Sequence, residues 1–283
     1  MRWRHQAVTL KPFSRKCSGQ VKSRGQVCNQ EKQLPKTHFG FETVSPDEKA
    51  DKVNQVFSRV ASKYDLMNDV MSLGIHRLWK DKFIKSLDPE PGCRLLDVAG
   101  GTGDIAFRFL KHLKRKGHVT VCDMNANMLE EGMRRANNLG FDDGSFITWK
   151  EGDAMNLPFE SNSFDAYSIA FGIRNVVDIP LAVREAYRVL KPGGVFTCLE
   201  FSKVTNPLLE KVYDLYSFNL IPVYGEILAG DWKSYQYLVE SIRKFPDQNE
   251  FKEMIEDEGF ILVEFQNLTQ GVVCIHTAFK PDT

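Results

Sequence analysis

The chain has 283 residues, 42% of them hydrophobic and 26% charged, and its 37 Lys and Arg balance its 37 Asp and Glu. That composition is typical of a soluble globular protein, and the neutral balance argues against nucleic-acid binding, which usually needs a basic excess. Six cysteines without a CxxC pair argue against a metal site or a disulfide framework, and no apolar run is long enough to predict a membrane span.

The N-terminal segment differs from the rest of the chain in charge. Residues 1–30 carry seven Lys and Arg and no acid, and the first acidic residue is Glu31. A basic, acid-free leader without an apolar core is typical of a mitochondrial transit peptide rather than a secretory signal, with a disordered basic tail as the alternative. We predict a transit peptide and linker over residues 1–37 and a single domain over residues 38–283.

Two helices are predicted before the first long strand. Residues 31–45 are interpreted as a linker, and a helix is expected to begin at "SPD" (45–47), because apolar residues then follow at helical spacing. The second helix covers "HRLWKDKFIKSL", with Leu78, Phe83 and Leu87 expected on one side. Residues 46–88 would then form a helical lid over whatever site the domain carries.

The middle of the chain alternates strands with helices. Five strands are predicted, and each is joined to the next by a helix or a short loop: "CRLLDV", "HVTVCD", "SFITWK", "FDAYSIAF" and "VFTCLEF". That alternation predicts an α/β fold with a doubly wound parallel sheet. The proline and glycines of "LKPGG" (190–194) should end the helix before the fifth strand.

The C-terminal third continues with helices and ends in strands. An inserted helical substrate region is predicted over residues 206–246, and Asp247 and Glu250 have capping-box spacing for the next helix. The segments "ILVEFQNL" and "VVCIHTAF" flank "TQG" and should form a C-terminal antiparallel hairpin.

The densest signal is the glycine loop "LLDVAGGTGD" (95–104), which links a strand to a helix. Glycines let the backbone approach a ligand, and the helix N-terminus offers free N–H groups. A dinucleotide site is one interpretation, since Gly101, Gly103 and Ala106 fit G-x-G-x-x-A and Asp123 lies 22 residues after Gly101. The other is S-adenosylmethionine, because a carboxylate at Asp97, before the glycines, can hold an α-amino group.

The loop resembles the first motif of class I S-adenosylmethionine-dependent methyltransferases. That resemblance implies that Asp123 accepts the ribose hydroxyls, that Met124 lies against the adenine and that Asp153 and Ala154 contact the adenine edge. A helix cap or a solvated turn is the alternative for the acids. The predicted cofactor-binding residues are Asp97, Gly100, Gly101, Thr102, Gly103, Asp123, Met124, Asp153, Ala154 and Ala170.

Further motifs include "VFSRVASKYDLMNDVMSLGIHRLWK" (56–80), "AFGIRNV" (170–176) and "LEFSKVTNP" (199–207). Together they resemble the ubiquinone/menaquinone biosynthesis C-methyltransferase family, and the resemblance covers about residues 38–280. The family implies S-adenosylmethionine-dependent methylation of a ring carbon on a polyprenyl benzoquinol. Some members carry Ser where this chain has Ala170. A cofactor contact through that hydroxyl would be lost here, whereas a contact through the backbone would be unchanged.

The resemblance also implies where the protein works and what it meets. It implies a mitochondrial enzyme on the matrix side of the inner membrane, in peripheral contact with the bilayer, with other enzymes of a coenzyme Q synthesis complex and a homodimer as partners. A sterol or phenol methyltransferase, a non-catalytic subunit of a quinone-synthesis complex and an NAD oxidoreductase are the alternatives.

The segment "AFGIRNV" follows the fourth strand and is expected to supply catalytic groups. Gly172 is expected to let the chain turn, so that Arg174 and Asn175 face the methyl donor. Arg174 suits a phenolate or a bound water, whereas its high pKa excludes it as the base. Asn175 can fix a hydroxyl or a water, and the alternatives are a surface ion pair and a helix cap.

Other side chains are assigned to the lid and the substrate pocket. Tyr64 and Asn68 are expected to close over the reactants, with packing of a helix end as the alternative. Asp231 and Tyr235 are predicted to add to the substrate pocket. Residues 215–230 are interpreted as a channel for the polyprenyl tail, with ordinary helix packing as the alternative. Glu200 could serve as a base or an orienting acid, whereas His276 is expected to pack within the last strand.

Overall fold

Strands and helices alternate along most of the chain. The computed structural model describes residues 36–61, 68–69, 71–141, 144–219, 223, 226 and 232–282. The strands within these ranges are β1 (Thr37–Phe39), β2 (Glu42–Val44), β3 (Arg94–Val98), β4 (His118–Asp123), β5 (Ile147–Glu151), β6 (Phe164–Ala170), β7 (Leu190–Phe201), β8 (Ile261–Leu268) and β9 (Val273–Phe279). The helices are α1 (Pro46–Val60), α2 (Ile75–Leu87), α3 (Asp104–His112), α4 (Ala126–Asn138), α5 (Ile179–Val189), α6 (Pro207–Asn219), α7 (Trp232–Lys244) and α8 (Gln248–Asp257).

Seven of these strands form one sheet, in the order β5-β4-β3-β6-β7-β9-β8. The pairs from β5 to β7 are parallel, and β9 runs antiparallel to both of its neighbours. The predicted doubly wound sheet with a C-terminal antiparallel hairpin is therefore confirmed. Strand order reverses between β3 and β6, and ligands of such sheets bind at that point beyond the carboxyl ends of the strands.

The interior of the protein lies on the two faces of this sheet. One core cluster packs β6 and β7 against α5 and α8 and contains Tyr167, Phe196 and Phe251. The other packs β3 and β4 against α2 and α3 and contains Phe83 and Phe109. Both faces are covered, so the strands have near-continuous apolar sequences and Asp97 is an exception inside β3.

The sequence of α1 explains both where the helix begins and which of its faces is buried. Ser45 caps it, Pro46 occupies its first turn, and Ser45 and Glu48 form a reciprocal capping box. Val53 and Val56 are buried on its inner face. The helix lies along the carboxyl edge of the sheet, where the Asn125 side-chain amide donates to the Ser58 hydroxyl at 2.8 Å.

Three predictions about local structure were wrong. Residues 37–44 form the β1–β2 hairpin instead of a linker, and its first strand stacks Phe39 on Tyr237 at a centroid distance of 4.0 Å. In α2, Leu78 is 66% exposed, because Trp79 occupies the buried row four residues before Phe83. The fifth predicted strand, β7, begins at Leu190 instead of Val195, so the two glycines lie within it, although α5 ends before them as predicted.

Two other local predictions are confirmed. Asp247 and Glu250 form the expected capping box of α8, and a short turn at Thr269–Gly271 joins the last two strands.

Residues Pro35–Thr283 make up one compact unit. Within the described residues, no helix has the length and apolar character needed to cross a membrane.

Candidate active site

Two cavities meet at the carboxyl edge of the sheet. The first, here called the loop cavity, lies beside the glycine loop. The second is called the aromatic cavity. Aromatic side chains form much of its wall: Phe171, Phe201, Tyr213, Tyr216, Tyr235 and Tyr237. Phe57, Lys80 and Phe171 line both cavities, so two ligands bound there would be neighbours.

Asp97 is fully buried in β3 and lines the loop cavity. The Ser168 hydroxyl of β6 donates to Asp97 Oδ1 at 2.7 Å. The other oxygen, Oδ2, is buried and has no hydrogen-bond partner among the described residues. Burial raises the pKa of this carboxyl to about 7. An unpaired buried carboxylate oxygen is costly unless a donor, and above all a cation, is bound to it.

Asp123 holds the glycine loop in place. Its Oδ2 accepts from the backbone N–H of Gly101 and its Oδ1 accepts from that of Asn125, both at 2.9 Å. Burial raises its pKa to about 6. Each oxygen keeps a second lone pair, so the carboxylate can also accept from a ligand hydroxyl. Met124, beside it, lines the loop cavity and is 40% exposed.

The glycine-loop residues divide into lining and shaping positions. Gly100, Gly101 and Thr102 line the loop cavity, and Thr102 Oγ1 already accepts from Arg135 Nη1 at 2.7 Å. Gly103 is absent from the lining; it has φ +80° and precedes α3, and a Cβ there would lie 2.7 Å from the Trp149 ring. It therefore shapes the turn.

The remaining predicted cofactor residues lie on the far wall of the loop cavity. Asp153, Ala154 and Ala170 all line it. Asp153 Oδ1 accepts from the backbone N–H of Met155 at 2.9 Å, which fixes the carboxylate at the end of β5. All of the predicted cofactor residues except Gly103 thus share one cavity.

Arg174 and Asn175 lie in a short helical turn, Ile173–Asn175, after β6. They were expected to face one site together, but Arg174 lines the aromatic cavity and Asn175 lines the loop cavity. The Asn175 Oδ1 accepts from the Tyr237 hydroxyl at 2.9 Å. Two consecutive residues therefore serve two adjoining cavities.

The turn itself differs from the one expected. Phe171, rather than Gly172, has the positive φ of +56°. Gly172 has φ −113°, and a Cβ on it would lie 2.5 Å from the Cβ of Ala99 in the glycine loop. The glycine is therefore needed because two loops approach closely, and not because the chain turns there.

Arg174 is buried in an ion pair. Its Nη1 donates to Glu200 Oε1 at 2.8 Å and to the backbone oxygen of Phe171 at 2.6 Å. Within the described residues its Nη2 makes no hydrogen bond. Glu200 lines neither cavity, and burial raises its pKa although Arg174 opposes that rise. Glu200 thus orients Arg174 and does not itself reach a ligand.

The predicted substrate residues are only partly within the described chain. Asn68 and Tyr235 line the aromatic cavity. Tyr64, Asp231 and more than half of the proposed tail channel (215–230) lie outside the described residues. His276 is buried in β9, as expected, and its Nε2–H donates to the backbone oxygen of Gln248 at 2.9 Å.

Two lining residues of α2 were missed by the sequence analysis. Lys80 is 5% exposed and donates to Asp104 Oδ2 at 2.7 Å, and His76 is 6% exposed on the same face of the helix. The four-residue spacing of His76 and Lys80 predicts that they share one face of the helix, but the sequence does not show that this face points inward.

A comparison with known protein families identifies the family to which this chain belongs. The model of the ubiE/COQ5 methyltransferase family matches residues 45–280. This chain belongs to that family. The methyltransferase is 55% identical over 287 residues to "2-methoxy-6-polyprenyl-1,4-benzoquinol methylase, mitochondrial" of Bos taurus, covering 90% of this chain and 86% of the relative. It is 53% identical to the Homo sapiens protein of the same name, covering 90% and 87%.

Solved structures support the fold of this methyltransferase. An S-adenosylmethionine-dependent methyltransferase from Thermotoga maritima superposes with a TM-score of 0.55 at 21% identity, covering 80% of this chain and 98% of that one. Phosphoethanolamine N-methyltransferase 2 of Haemonchus contortus, in complex with S-adenosyl-L-methionine, gives 0.52 at 19% identity, covering 71% and 52%.

The cofactor of this methyltransferase is S-adenosylmethionine, and the residues of the loop cavity fit it. The unpaired Oδ2 of Asp97 suits an ammonium group. At Gly100 a Cβ would lie 2.8 Å from that oxygen, so a glycine at this position keeps the space beside Asp97 open for a ligand. Bound there, S-adenosylmethionine supplies an electrophilic methyl group on a sulfonium.

Proposed function

We propose that this methyltransferase methylates a ring carbon of a polyprenyl methoxybenzoquinol in ubiquinone biosynthesis. The names of relatives at about 55% identity support that substrate. The observation that carries the proposal is the contact between the two cavities: an aromatic-walled cavity adjoins the cofactor loop at Phe57, Lys80 and Phe171. Such a wall suits a planar, apolar ring.

The chemistry needs an ionised ring hydroxyl, because a phenolate pushes charge onto the neighbouring carbon. Lowering a phenol pKa from about 10 to about 7 requires roughly 4 kcal/mol. One charge-assisted hydrogen bond supplies about 1.5–3 kcal/mol. Arg174 lines the aromatic cavity and would make that bond through its guanidinium group. Because Glu200 already balances its charge, Arg174 acts as an oriented donor rather than as an unpaired cation.

The loop cavity offers a place for each part of the cofactor. Asp97 Oδ2 would hold the α-ammonium group, Asp123 the ribose hydroxyls, and Met124, Asp153 and Ala154 the adenine. Asn175, whose side chain is fixed by Tyr237, lies between this cavity and Arg174 and would hold a hydroxyl or a water. Tyr64 and Asp231 lie outside the described residues. In the proposal Tyr64 closes over the reactants and Asp231 adds to the substrate pocket.

The cellular setting is part of the same proposal. The relatives are named mitochondrial, and the basic leader over residues 1–37 lies almost wholly outside the described residues. A polyprenyl substrate resides in the bilayer, so the protein would work on the matrix side of the inner membrane in peripheral contact with it. Other enzymes of coenzyme Q synthesis and a second copy of the chain are the proposed partners.

A methylation assay tests the function. Purified protein with S-adenosylmethionine and a short-tail methoxybenzoquinol should give a product methylated on carbon, identified by mass spectrometry and NMR. Arg174→Lys keeps a cation beside Glu200 but loses the guanidinium fork, so turnover should fall with cofactor binding unchanged. Methylation on oxygen, or preference for a sterol or simple phenol, would contradict the substrate. A folded protein that binds no S-adenosylmethionine in calorimetry would favour a non-catalytic subunit.

A further inference from the structure

His76 is a buried ionisable residue that the roles above leave unused. It lies in the first turn of α2, is 6% exposed and lines the aromatic cavity together with Asn68 and Ser72. Its backbone N–H donates to the Ser72 hydroxyl at 3.3 Å. The ring is thus part of the wall of the proposed quinol site.

The protonation state of the His76 ring follows from its neighbour Asp69. The ring Nε2 lies 2.8 Å from Asp69 Oδ1. Arg77 donates to both oxygens of Asp69, at 2.7 Å from Nε and 2.5 Å from Nη2, and these bonds hold the pKa of that carboxyl far below its usual range. An ionised carboxylate only accepts hydrogen bonds, so His76 Nε2 carries the hydrogen. The other ring nitrogen, Nδ1, therefore has a free lone pair.

That lone pair has no structural use in the described part of the chain. Nδ1 is buried and has no hydrogen-bond partner there. A buried polar atom without a partner costs about 1–3 kcal/mol, which calls for an explanation such as a ligand or a catalytic role. His276 offers the contrast: its Nδ1 is also without a partner, but its ring donates to a backbone oxygen and lines neither cavity.

Burial and the charges around His76 together determine the protonation state of its ring, which is neutral near pH 7. Burial lowers its pKa from the ordinary 6.5, and Lys80 on the same helix adds to that effect. Asp69 before α2 and Asp104 at the start of α3 oppose it. Arg174, on the opposite element, lines the same cavity. A neutral imidazole oriented by a carboxylate is the arrangement of a general base.

We propose that His76 is the general base that removes the proton of the quinol hydroxyl, directly or through one water, with Asp69 as its positioning residue. This inference rests on the proposed function. The hydroxyl O–H bond breaks as an N–H bond forms at Nδ1. After the ring carbon has gained its methyl group, its hydrogen leaves as a proton to water. The imidazolium then returns the first proton to the ring oxygen, so one proton is released in total.

Other ionisable residues of the aromatic cavity fit this role less well. The guanidinium of Arg174 is a hydrogen-bond donor with no acceptor atom. Lys80 is paired with Asp104 at 2.7 Å. Burial raises the pKa of Tyr237 well above its usual range, and its hydroxyl donates to Asn175. His76 combines a free lone pair, a neutral ring and a place on the cavity wall.

The test compares His76→Gln with wild type in the short-tail quinol assay. We expect a fall in kcat of roughly 10²–10⁴-fold, the usual contribution of a general base, with S-adenosylmethionine affinity unchanged. The wild-type kcat/KM should rise with pH to a plateau above the His76 pKa, and that inflection should vanish in the variant. His112→Gln, an exposed histidine at the end of α3, is the matched control and should keep wild-type activity.

Asp69→Asn provides the second variant, because it keeps the imidazole ring. Since Asp69 raises the pKa of His76, its neutralisation should move the inflection of kcat/KM to lower pH and reduce kcat. His76→Gln with kcat within twofold of wild type and the same pH profile would overturn the inference. If His76→Gln failed to fold, an unchanged pH profile of kcat/KM in Asp69→Asn would overturn the inference instead. A wild-type enzyme that methylates no benzoquinol would instead refute the proposed function.

Discussion

Arg174 and Glu200 form a buried ion pair, with Arg174 Nη1 2.8 Å from Glu200 Oε1. Glu200 also accepts from the backbone N–H groups of Phe201 at 2.8 Å and of Arg174 at 3.4 Å. The acid at the end of β7 therefore fixes both the side chain and the backbone of the turn after β6. The position of Arg174 therefore depends on an acid that lines neither cavity.

Replacing Glu200 with Gln should reduce both stability and turnover. Removing one partner of a buried ion pair usually costs about 3–5 kcal/mol, and the Gln carbonyl, which can still accept from Arg174, should keep the loss near the lower end. We expect a fall in the melting temperature and in kcat, with little change in S-adenosylmethionine affinity.

Glu258→Gln is the matched control for that prediction. It breaks the Arg184–Glu258 pair, in which Arg184 is 63% exposed, and exposed pairs contribute about 0–1 kcal/mol. Thermal unfolding and steady-state kinetics measure both variants. Equal melting temperatures for the two would show that the buried pair does not hold the turn.

Asp97→Asn should weaken cofactor binding without disturbing the fold. The Asn oxygen can still accept from Ser168, but the charge facing the ammonium group is lost. A charge-assisted bond of about 1.5–3 kcal/mol corresponds to a roughly 10- to 100-fold increase in Kd. Calorimetry with S-adenosylmethionine measures it, and Asp165→Asn, on the same sheet but outside both cavities, should bind normally. Unchanged affinity in Asp97→Asn would exclude Asp97 from the ammonium site.

The same carboxyl predicts a pH dependence of stability. Burial raises the pKa of Asp97 from 3.8 to about 7 in the folded protein. The folded state therefore favours the protonated acid, and this stabilisation is complete below about pH 4 and is lost as pH rises through 7. Without cofactor, Asp97→Asn should gain stability relative to wild type between pH 4 and 7, by about 4 kcal/mol at most. Urea unfolding at pH 5 and pH 8 measures the difference, and a constant gap would contradict the raised pKa.

Gly172→Ala should displace the turn after β6 from the glycine loop. The added Cβ would lie 2.5 Å from the Cβ of Ala99, and φ −113° at Gly172 is open to alanine, so the cost is purely steric. We expect weaker cofactor binding and lower kcat in the single variant. The double variant Gly172→Ala with Ala99→Gly should recover most of both, measured as a double-mutant cycle. A failure of Ala99→Gly to rescue would mean that the clash lies elsewhere.

The sheet and the cofactor loop could be predicted from sequence because both depend on local patterns. Apolar strands alternating with helices gave the strand arrangement, and the acids after successive strands marked its ligand-binding edge. The division of Arg174 and Asn175 between two cavities could not be predicted, because it depends on a positive φ at Phe171 and on a long-range bond to Tyr237. The β1–β2 hairpin was missed because each strand has only three residues.

The buried face of α2 was also predicted wrongly because it depends on long-range contacts. Leu78 is apolar by type yet exposed, whereas the histidine two positions before it is buried against a cavity. Which face of a helix points inward depends on the element that it packs against, and here α2 packs on α3 through the bond from Lys80 to Asp104. A sequence pattern alone gives the period of the helix but not the polar partner that fixes its rotation.

Phe57 lines both cavities and belongs to α1, which also places Ala50 and Val53 on the loop cavity. Outward movement of this one helix would therefore open the loop cavity and the aromatic cavity together. Exchange of the spent cofactor and release of the methylated ring would then depend on the same movement. In such an enzyme a slow substrate retains the cofactor, and the residence times of the two ligands rise and fall together.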